Sequence, residues 1–441
     1  MIKDPPNWRD YQKRLRRRNS RKAFLRKLPS LIFYSGCSIL ILLLISFGGV
    51  WISAYRSQAG IPPKDATKQF VDFRENQAEQ KVLKDLDLDS VRLAKHSVLE
   101  KGEDHLTIIS SLDPDLQNYI LRLLRRSRTL QAAVVVLDSN DGGVRAMVSY
   151  KKDGESEDIC LKADYPAASL FKIVSAAAAL ESAGFRPDNP VYYRGKRHTL
   201  YKSQLKNKMG RYTNETSFRK AFATSINPVF GKLGIYDLGQ DVLTDYANRF
   251  LFNHTIPFDF PVEMSTIEVP GDHFGLAEIS SGFNKRTLIS PLHAALLSSV
   301  AANNGVMVTP WLVEQINSES GECLFQRKPT RLSSPISIRA AKDLKNLMRG
   351  TVLYGTCCKT FRPLRRKKAL KNVEFGAKTG TINDINDRFK YDWLTAYALP
   401  KNGEKAICIS VLGIHGAKLG IRANELGRYI INYYLTSKKK V

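Results

Sequence analysis

Three short motifs, separated by long stretches of chain, place the strongest constraint on how this protein folds. They read Ser169-Leu-Phe-Lys172, Ser225-Ile-Asn227 and Lys378-Thr379-Gly380, and their first residues lie 56 and 153 positions apart. The motifs supply hydroxyl, amine and amide groups, which are the groups needed for nucleophilic acyl transfer by an activated serine. If they act together, the chain must fold so that all three motifs meet in one cleft.

The first motif has predictive value only through its context, because Ser-x-x-Lys also occurs elsewhere in this lysine-rich chain. Ser169 opens an apolar, alanine-rich run that ends near Gly184, which predicts a buried helix. One helical turn separates Ser169 from Lys172, so the two side chains should share a face. We therefore expect Ser169 to be the nucleophile rather than any of the other four candidates, which are Ser149, Ser203, Ser217 and Ser437.

The chemistry assigns a different task to each remaining motif residue. Lys172 can accept the serine proton only if its pKa is low, which burial and the nearby charge of Lys378 would achieve. Ser225 can pass a proton between Lys172 and a leaving amine, and Asn227 can hold a peptide amide with both its donor and its acceptor. We expect all four residues to act in catalysis together with Ser169.

The third motif suits the binding of a substrate. Lys378 and Thr379 fit a carboxylate, one by charge and one by a hydrogen bond, and Gly380 lets a peptide backbone approach the predicted strand 374–378. Alone, a Lys-Thr-Gly is usually a strand end, and a Ser-x-Asn is usually a turn or a helix cap. The order of the three motifs is what indicates catalysis.

With these motifs, the chain resembles the transpeptidase domain of the penicillin-binding proteins, and most nearly the transpeptidase half of the bifunctional class A proteins. The resemblance covers about residues 106–435. Leu394 and Ala168 depart from the family's usual phenylalanine and its usual glycine or proline. Further segments that resemble the family are 107–117, 132–138, 143–147, 289–310, Gly355-Thr356 and Asp392-Trp393.

The resemblance implies a reaction and a fold. Ser169 would attack the D-Ala-D-Ala carbonyl of a peptidoglycan stem peptide, an amine from a neighbouring strand would resolve the acyl-enzyme, and β-lactams would acylate the same serine. The backbone N–H groups of Ser169 and Thr381 would form the oxyanion hole, and Thr381 would also contact the carboxylate. The implied fold is α+β, an antiparallel sheet flanked by helices, with an all-helical lobe that carries Ser225. No cofactor or metal is implied.

The N-terminus predicts a membrane anchor. Residues 28–55 carry no charge, 31–55 are mostly apolar, and eleven Lys or Arg against two Asp precede this stretch. The length and the charge asymmetry predict one transmembrane helix at 31–55 in a bacterial cytoplasmic membrane, with a cytoplasmic tail at 1–30. A linker or short stalk at 56–105, helical over 65–100, would then lead to an extracytoplasmic domain at 106–441. A cleaved signal peptide is the alternative.

The formal net charge of +26 raises the question of an anionic partner. Nucleic acid is the usual partner of such a chain, but the expected topology argues against it and favours anionic lipid heads or cell-wall polymers. A basic cluster at 359–371 is either a solvated loop or a binding segment. The six cysteines form no metal-binding pattern, and their spacing leaves any disulfide pairing open.

Several functions remain compatible with the motifs. A D,D-carboxypeptidase or endopeptidase would use the same residues with water as the acceptor, and a β-lactamase would need a further carboxylate that the sequence does not reveal. A low-turnover β-lactam sensor or scaffold is the alternative from a different class. The chain has no room for a glycosyltransferase domain of its own, so we expect a glycan polymerase or a cell-wall assembly complex as a partner.

Overall fold

The structure is a computed structural model that describes residues 71–72, 95–101, 104–154 and 158–437. The predicted tail at 1–30, the predicted transmembrane helix at 31–55 and most of the predicted linker lie outside these residues. Among the helices within the described ranges, none is both long enough and apolar enough to cross a bilayer.

The described part contains sixteen strands and ten helices. The strands are β1 Val71–Asp72, β2 His96–Lys101, β3 Asp104–Ser110, β4 Gln131–Asp138, β5 Val144–Lys151, β6 Tyr165–Pro166, β7 Pro190–Arg194, β8 Thr213–Ser217, β9 Leu288–Ile289, β10 Met307–Val308, β11 Val313–Asn317, β12 Cys323–Gln326, β13 Thr330–Ser333, β14 Val373–Asn383, β15 Lys390–Pro400 and β16 Ile407–His415. The helices are α1 Pro114–Arg125, α2 Lys172–Glu181, α3 Phe218–Ala223, α4 Asn227–Leu233, α5 Gly239–Arg249, α6 His273–Ser281, α7 Pro291–Ala302, α8 Ile338–Leu353, α9 Cys358–Arg366 and α10 Ala423–Thr436.

An antiparallel sheet of five strands, in the order β14-β15-β16-β4-β5, forms the centre of the fold. The central strands β4 and β16 are buried on both faces, which is why β4 reads as a continuous apolar run. The odd-numbered residues from Ala133 to Leu137 belong to one hydrophobic core, and the even-numbered residues from Ala132 to Val136 belong to a second. This division follows from the alternation of side chains along a strand.

Helices cover both faces of this sheet. All twelve residues of α7 are buried, because the helix packs against β15, β16 and β4 and also belongs to the core of the helical lobe. On the opposite face, α1 and α10 contribute to the second core. Asp113 caps α1, since its side chain accepts a hydrogen bond from Leu116 N at 3.0 Å, and Pro114 begins the helix.

The helical lobe consists mainly of α3, α4, α5 and α6. Ser225 lies between α3 and α4, and Phe218, Phe222 and Phe230 from these two helices pack in the core beside it. The antiparallel sheet, its flanking helices and this lobe confirm the predicted α+β fold class.

Two local predictions differ from the structure. The helix expected over 65–100 is wrong at two places. Val71–Asp72 form strand β1, which pairs with β13, and residues 96–100 lie in strand β2, which pairs with β3 in a second antiparallel sheet of order β12-β11-β3-β2. Pairing with the available edge of β3 outweighs the local preference of this charged segment for a helix. The basic cluster at 359–371 is not simply a loop either, because most of it lies in α9 and in the 3₁₀ turn Lys368–Leu370.

The cysteines of the described part are all free thiols. Cys160, Cys357 and Cys408 are buried, Cys358 is half-buried and Cys323 is exposed. Burial raises the pKa of each buried thiol to about 12, so these three groups stay protonated and behave as small apolar side chains. Packing, and not cross-linking, holds this part of the chain together.

Candidate active site

Ser169 lies in a 3₁₀ turn, Ala168–Phe171, that leads directly into α2. The turn is held by close backbone contact with Gly282, which has φ +63°. A Cβ atom at this glycine would lie 2.0 Å from the carbonyl oxygen of Ala168. Ala168 itself has φ +48°, a left-handed conformation that disfavours a side chain. Ala168, which stands where the family usually has glycine or proline, is therefore under backbone strain.

Lys172 is fully buried one turn below Ser169, with three partners around its amine. Nζ lies 2.9 Å from Ser169 Oγ, donates to Asn227 Oδ1 at 2.8 Å, and donates to the backbone oxygen of Ser281. The last two partners can only accept. A neutral amine has two N–H groups and one lone pair, so the two acceptors take both donors and the lone pair remains for the Ser169 hydroxyl. The geometry suits a lysine that acts as a base.

The electrostatics of the two buried lysines support the same conclusion. Burial, followed by the nearby charge of Lys378, lowers the pKa of Lys172 well below its ordinary value. Burial also lowers the pKa of Lys378 to about 7. A lysine pKa that falls towards neutrality provides a free amine at working pH.

The second motif connects to both lysines. Ser225 has φ +55° and is nearly buried, and its Oγ accepts a hydrogen bond from Lys378 Nζ at 3.0 Å. Asn227 bridges Lys172 and the backbone oxygen of His198, to which its Nδ2 donates at 3.1 Å. Asn227 therefore orients the Lys172 amine, a contact that sequence spacing did not reveal.

The third motif lies in the middle of the edge strand β14. Lys378 is fully buried and donates to Ser225 and to the backbone oxygen of Thr379. The Thr379 hydroxyl lies 2.7 Å from that of Thr356, which belongs to the Gly355-Thr356 pair. A Cβ atom at Gly380 would lie 3.4 Å from the backbone nitrogen of Ser169, so a side chain at this position would crowd the nucleophile turn.

These groups surround one cavity of about 340 Å³, a size typical of small-molecule sites. Lys172 and Lys378 are fully buried behind Ser169 and Ser225 rather than exposed in the cleft. The cavity wall includes Ser169, His198, Ser225, Asn227, Thr379, Thr381, Asp392 and Arg422.

The sequence alone did not indicate the ion pair between Asp392 and Arg422 in the wall of this cavity. Arg422 precedes α10 and donates to the buried Asp392 through Nε at 2.9 Å and through one terminal nitrogen at 3.1 Å. Thr381 Oγ1 donates to the same carboxylate at 3.3 Å. Asp392 was recognisable from its Asp-Trp pair, but no local signal identifies Arg422. Asp392 thus holds the Arg422 guanidinium in a fixed position on the cavity wall.

His198 was also missed. It lies near Lys172 and Lys378, and its pKa is lowered first by burial and then by these two charges, against a raising hydrogen bond to the backbone of Ser225. His198 therefore lines the cleft as a neutral side chain at neutral pH. Within the described residues, no group of three His, Cys, Asp or Glu side chains could hold a metal ion.

Comparisons with known proteins agree with this geometry. A family model described as the penicillin binding protein transpeptidase domain matches residues 132–426. Penicillin-binding protein 1A of Neisseria lactamica is 27% identical over 267 residues, which are 58% of this chain and 30% of that protein. The peptidoglycan D,D-transpeptidase PbpA of Mycolicibacterium smegmatis is 26% identical over 316 residues, which are 64% and 62% of the two chains. The chain thus spans less than two thirds of each relative.

A solved structure shows the same fold. Penicillin-binding protein A of Mycobacterium tuberculosis, in its imipenem acyl-enzyme complex, aligns with a TM-score of 0.60 at 22% identity, over 75% of this chain and 80% of that one. The family model covers most of the sheet, the nucleophile turn, the helical lobe and all three motifs. The chain belongs to the penicillin-binding protein transpeptidase domain family.

Proposed function

We propose that this protein is a membrane-anchored peptidoglycan D,D-transpeptidase that works through a serine acyl-enzyme on Ser169 and is acylated there by penicillin. The observation that carries the proposal is the contact between Lys172 Nζ and Ser169 Oγ, at 2.9 Å, on the wall of a cavity. Ser225 and Thr381 share that cavity. The names of the matched relatives, which include a D,D-transpeptidase, support the same reaction class.

In the acylation step, the Lys172 amine accepts the hydroxyl proton while Ser169 Oγ bonds to the carbonyl carbon of the penultimate D-alanine. The negative charge that develops on the carbonyl oxygen needs fixed donors. The backbone N–H groups of Ser169 and Thr381 are our candidates, supported by the close approach of Gly380 to the nucleophile turn. Losing one donor of this kind typically costs about 10²–10³ in rate.

The C–N bond then breaks, and the nitrogen of the departing D-alanine needs a proton. The Ser225 hydroxyl is the proposed donor: it gives its proton to that nitrogen and takes up the proton that Lys172 accepted from Ser169, while Lys378, which donates to Ser225 Oγ at 3.0 Å, orients the hydroxyl. The terminal carboxylate of the substrate would lie near Thr379 and Thr381, with the Arg422 guanidinium in the same cavity. Asn227, besides orienting Lys172, lies on the cavity wall where it can contact a peptide amide.

The remaining functions differ in which molecule accepts the acyl group from Ser169. An amine from a neighbouring stem peptide gives a cross-link, whereas water gives a carboxypeptidase or endopeptidase. Rapid hydrolysis of a β-lactam would need a carboxylate free to activate water. Asp392 lines the cavity, but Arg422, Thr381 and the backbone nitrogen of Ala423 already bond to it, which disfavours a β-lactamase.

Fluorescent penicillin tests the nucleophile directly. The full chain in a non-ionic detergent should be labelled, and Ser169→Ala should abolish labelling because no acyl-enzyme can form. Ser203→Ala is the matched control, since Ser203 is an exposed serine of another Ser-x-x-Lys and should leave labelling unchanged. Labelling that persists in Ser169→Ala would place the nucleophile elsewhere.

Product masses test the reaction. The full chain is incubated with donor and acceptor stem peptides, and we expect cross-linked dimers with the loss of one D-alanine per cross-link. Trimmed monomers alone would indicate a carboxypeptidase. Penicillin labelling without either product would indicate a sensor or a scaffold.

We also propose that residues 31–55 anchor the protein in the bacterial cytoplasmic membrane, with the N-terminus in the cytoplasm and the catalytic domain outside. The uncharged stretch and the basic residues before it support this topology. On that side of the membrane the substrate would be peptidoglycan rather than nucleic acid. A glycan polymerase or a cell-wall assembly complex would supply the strands to be cross-linked.

A further inference from the structure

A second cavity, of about 500 Å³, lies at the beginning of β14. Its walls come from the second half of α8, the last turn of α9, the start of β14 and the end of β15. Glu374 in this cavity and Thr379 in the active site are five positions apart along extended strand, a distance of roughly 16 Å. The cavity is thus separate from the catalytic cleft, although both adjoin the same edge strand.

The lining of this cavity is strongly cationic. Its single carboxylate, Glu374, accepts a hydrogen bond from Tyr397 at 3.3 Å. None of the lining cations forms an ion pair with a carboxylate of the described part of the chain. The cations are Lys345, Arg349, Arg365, Lys371 and Lys401.

Two of these cations are half-buried and incompletely compensated. Burial lowers the pKa of Lys345, and the charges of Arg349 and Lys342 lower it further against the opposing effect of Glu374. The Arg365 guanidinium donates to the backbone oxygen of Cys358 at 3.2 Å, and its Nε is buried without a hydrogen-bond partner among the described residues. Charges in such positions gain stability from a neighbouring anion.

Apolar side chains complete the cavity, including Leu353, Leu370 and Phe375. The volume lies within the range of small-molecule sites, and a lining that combines cations with apolar side chains suits an anion that carries an organic group. A ligand with a single carboxylate would neutralise only one of the five cations that line the cavity. A phosphate group offers up to two negative charges and several acceptor oxygens, which arginine and lysine bind together.

We propose that this cavity binds a phosphate-bearing anion, presented either by a lipid headgroup or by a soluble phosphate compound. The site is independent of the acyl-transfer chemistry proposed above, and it gives the basic cluster at 359–371 a function through Arg365 and Lys371.

Calorimetric titration of the full chain in a non-ionic detergent, at low salt, tests the proposal. One probe is inorganic pyrophosphate, and the other is glycerophosphoglycerol, the water-soluble headgroup of phosphatidylglycerol. Both substituted residues of the variant Arg349→Gln/Lys371→Gln line the cavity and are exposed, so its fold should be retained. The control Arg362→Gln/Lys368→Gln removes the same charge from exposed residues of the same basic segment that do not line the cavity.

We expect saturable binding of at least one probe, weakened about tenfold or more in the cavity variant and little changed in the control. Preference for glycerophosphoglycerol would identify a lipid headgroup as the source, and preference for pyrophosphate a soluble compound. If both variants bound the probe equally weakly, the effect would come from net charge alone and the proposed site would be excluded. The absence of saturable binding would exclude the site as well. Unchanged penicillin labelling of both variants confirms that they are folded.

Discussion

The two buried lysines of the active site, Lys172 and Lys378, are expected to lower the stability of the fold that holds them. A charged group loses its hydration when it is buried, and here two amines of the same sign lie close enough for one to lower the pKa of the other. A depressed pKa provides the base for catalysis, and the same shift makes folding stability depend on pH.

Replacing Lys378 with methionine should therefore stabilise the protein while impairing acylation. The pKa of Lys378 falls from 10.5 to about 7 on folding, so the unfolded state binds more protons between these values and stability rises with pH across the window. Lys378→Met removes this dependence. Its Tm should exceed that of the wild type by about 2–4 °C at pH 7, and the difference should shrink towards pH 10.

Thermal unfolding between pH 6 and pH 10 checks this expectation. Lys342→Met, which replaces an exposed lysine, is the control and should show no such trend. A difference between Lys378→Met and the wild type that stays constant over the whole range would contradict the assigned shift.

The position of Arg422 in the cavity leads to a second prediction about a single residue. Its guanidinium, fixed by Asp392, lies in the cavity with Thr379 and Thr381, so we expect it to attract the carboxylate of a β-lactam. Arg422→Gln should slow acylation by benzylpenicillin about tenfold, because one charge-assisted contact is lost. Acylation by the methyl ester of benzylpenicillin, which lacks that charge, should change little.

Stopped-flow acylation rates with both compounds provide the measurement. Arg388→Gln removes an exposed arginine outside the cavity and serves as the charge control. An equal loss of rate for the acid and the ester would mean that Arg422 acts only through the local structure around Asp392.

The motif residues could be predicted because their chemistry is encoded in short patterns. Ser169 and Lys172 are a helical turn apart, and Lys378 has a threonine and a glycine after it in the same strand. Arg422 could not be predicted, because its role depends on how the segment after β16 folds back onto the cleft. The contact of Lys172 with the backbone oxygen of Ser281 carries no side-chain signal at all.

At the scale of elements, the nucleophile turn depends on Gly282. Substitution by alanine would strain a positive φ and drive Cβ into the carbonyl of Ala168. Gly282→Ala should lower stability by about 2–4 kcal/mol and slow penicillin acylation about 100-fold, because small displacements of reacting groups are costly.

Gly184→Ala is the matched control, since Gly184 also has a positive φ, of +70°, but has open space around it. It should cost only about 1–2 kcal/mol and leave the acylation rate unchanged. Thermal unfolding and acylation rates of the two variants separate backbone strain from displacement of the turn. Equal acylation rates for the two would exclude a specific role for Gly282.

The elements themselves were predictable to different degrees. The hairpin β4–β5 and the strands β14 to β16 follow from apolar runs and turn residues within each segment. Strand β2 does not, because its conformation depends on a partner strand rather than on its own composition.

At the scale of the whole molecule, the proposed topology predicts where each end of the chain lies. A fluorescent protein fused to the N-terminus should fold in the cytoplasm, and alkaline phosphatase fused to the C-terminus should be active outside the cytoplasmic membrane. Reducing the charge asymmetry by replacing Arg16, Arg17 and Arg18 with glutamate should reduce the phosphatase activity. An intact-mass measurement that finds residues 1–55 missing would favour the cleaved signal peptide instead.

Helix α7 joins the sheet to the helical lobe. Thr395 Oγ1 donates to Ala294 O at 2.7 Å on the sheet side, and His293 Nε2 lies 2.7 Å from the backbone oxygen of Phe250 on the lobe side. Because every residue of α7 is buried, a larger side chain at Ala294 has no free space to occupy and must displace the sheet or its neighbours. A substitution that never touches substrate can in this way disturb the strands that carry the reacting groups.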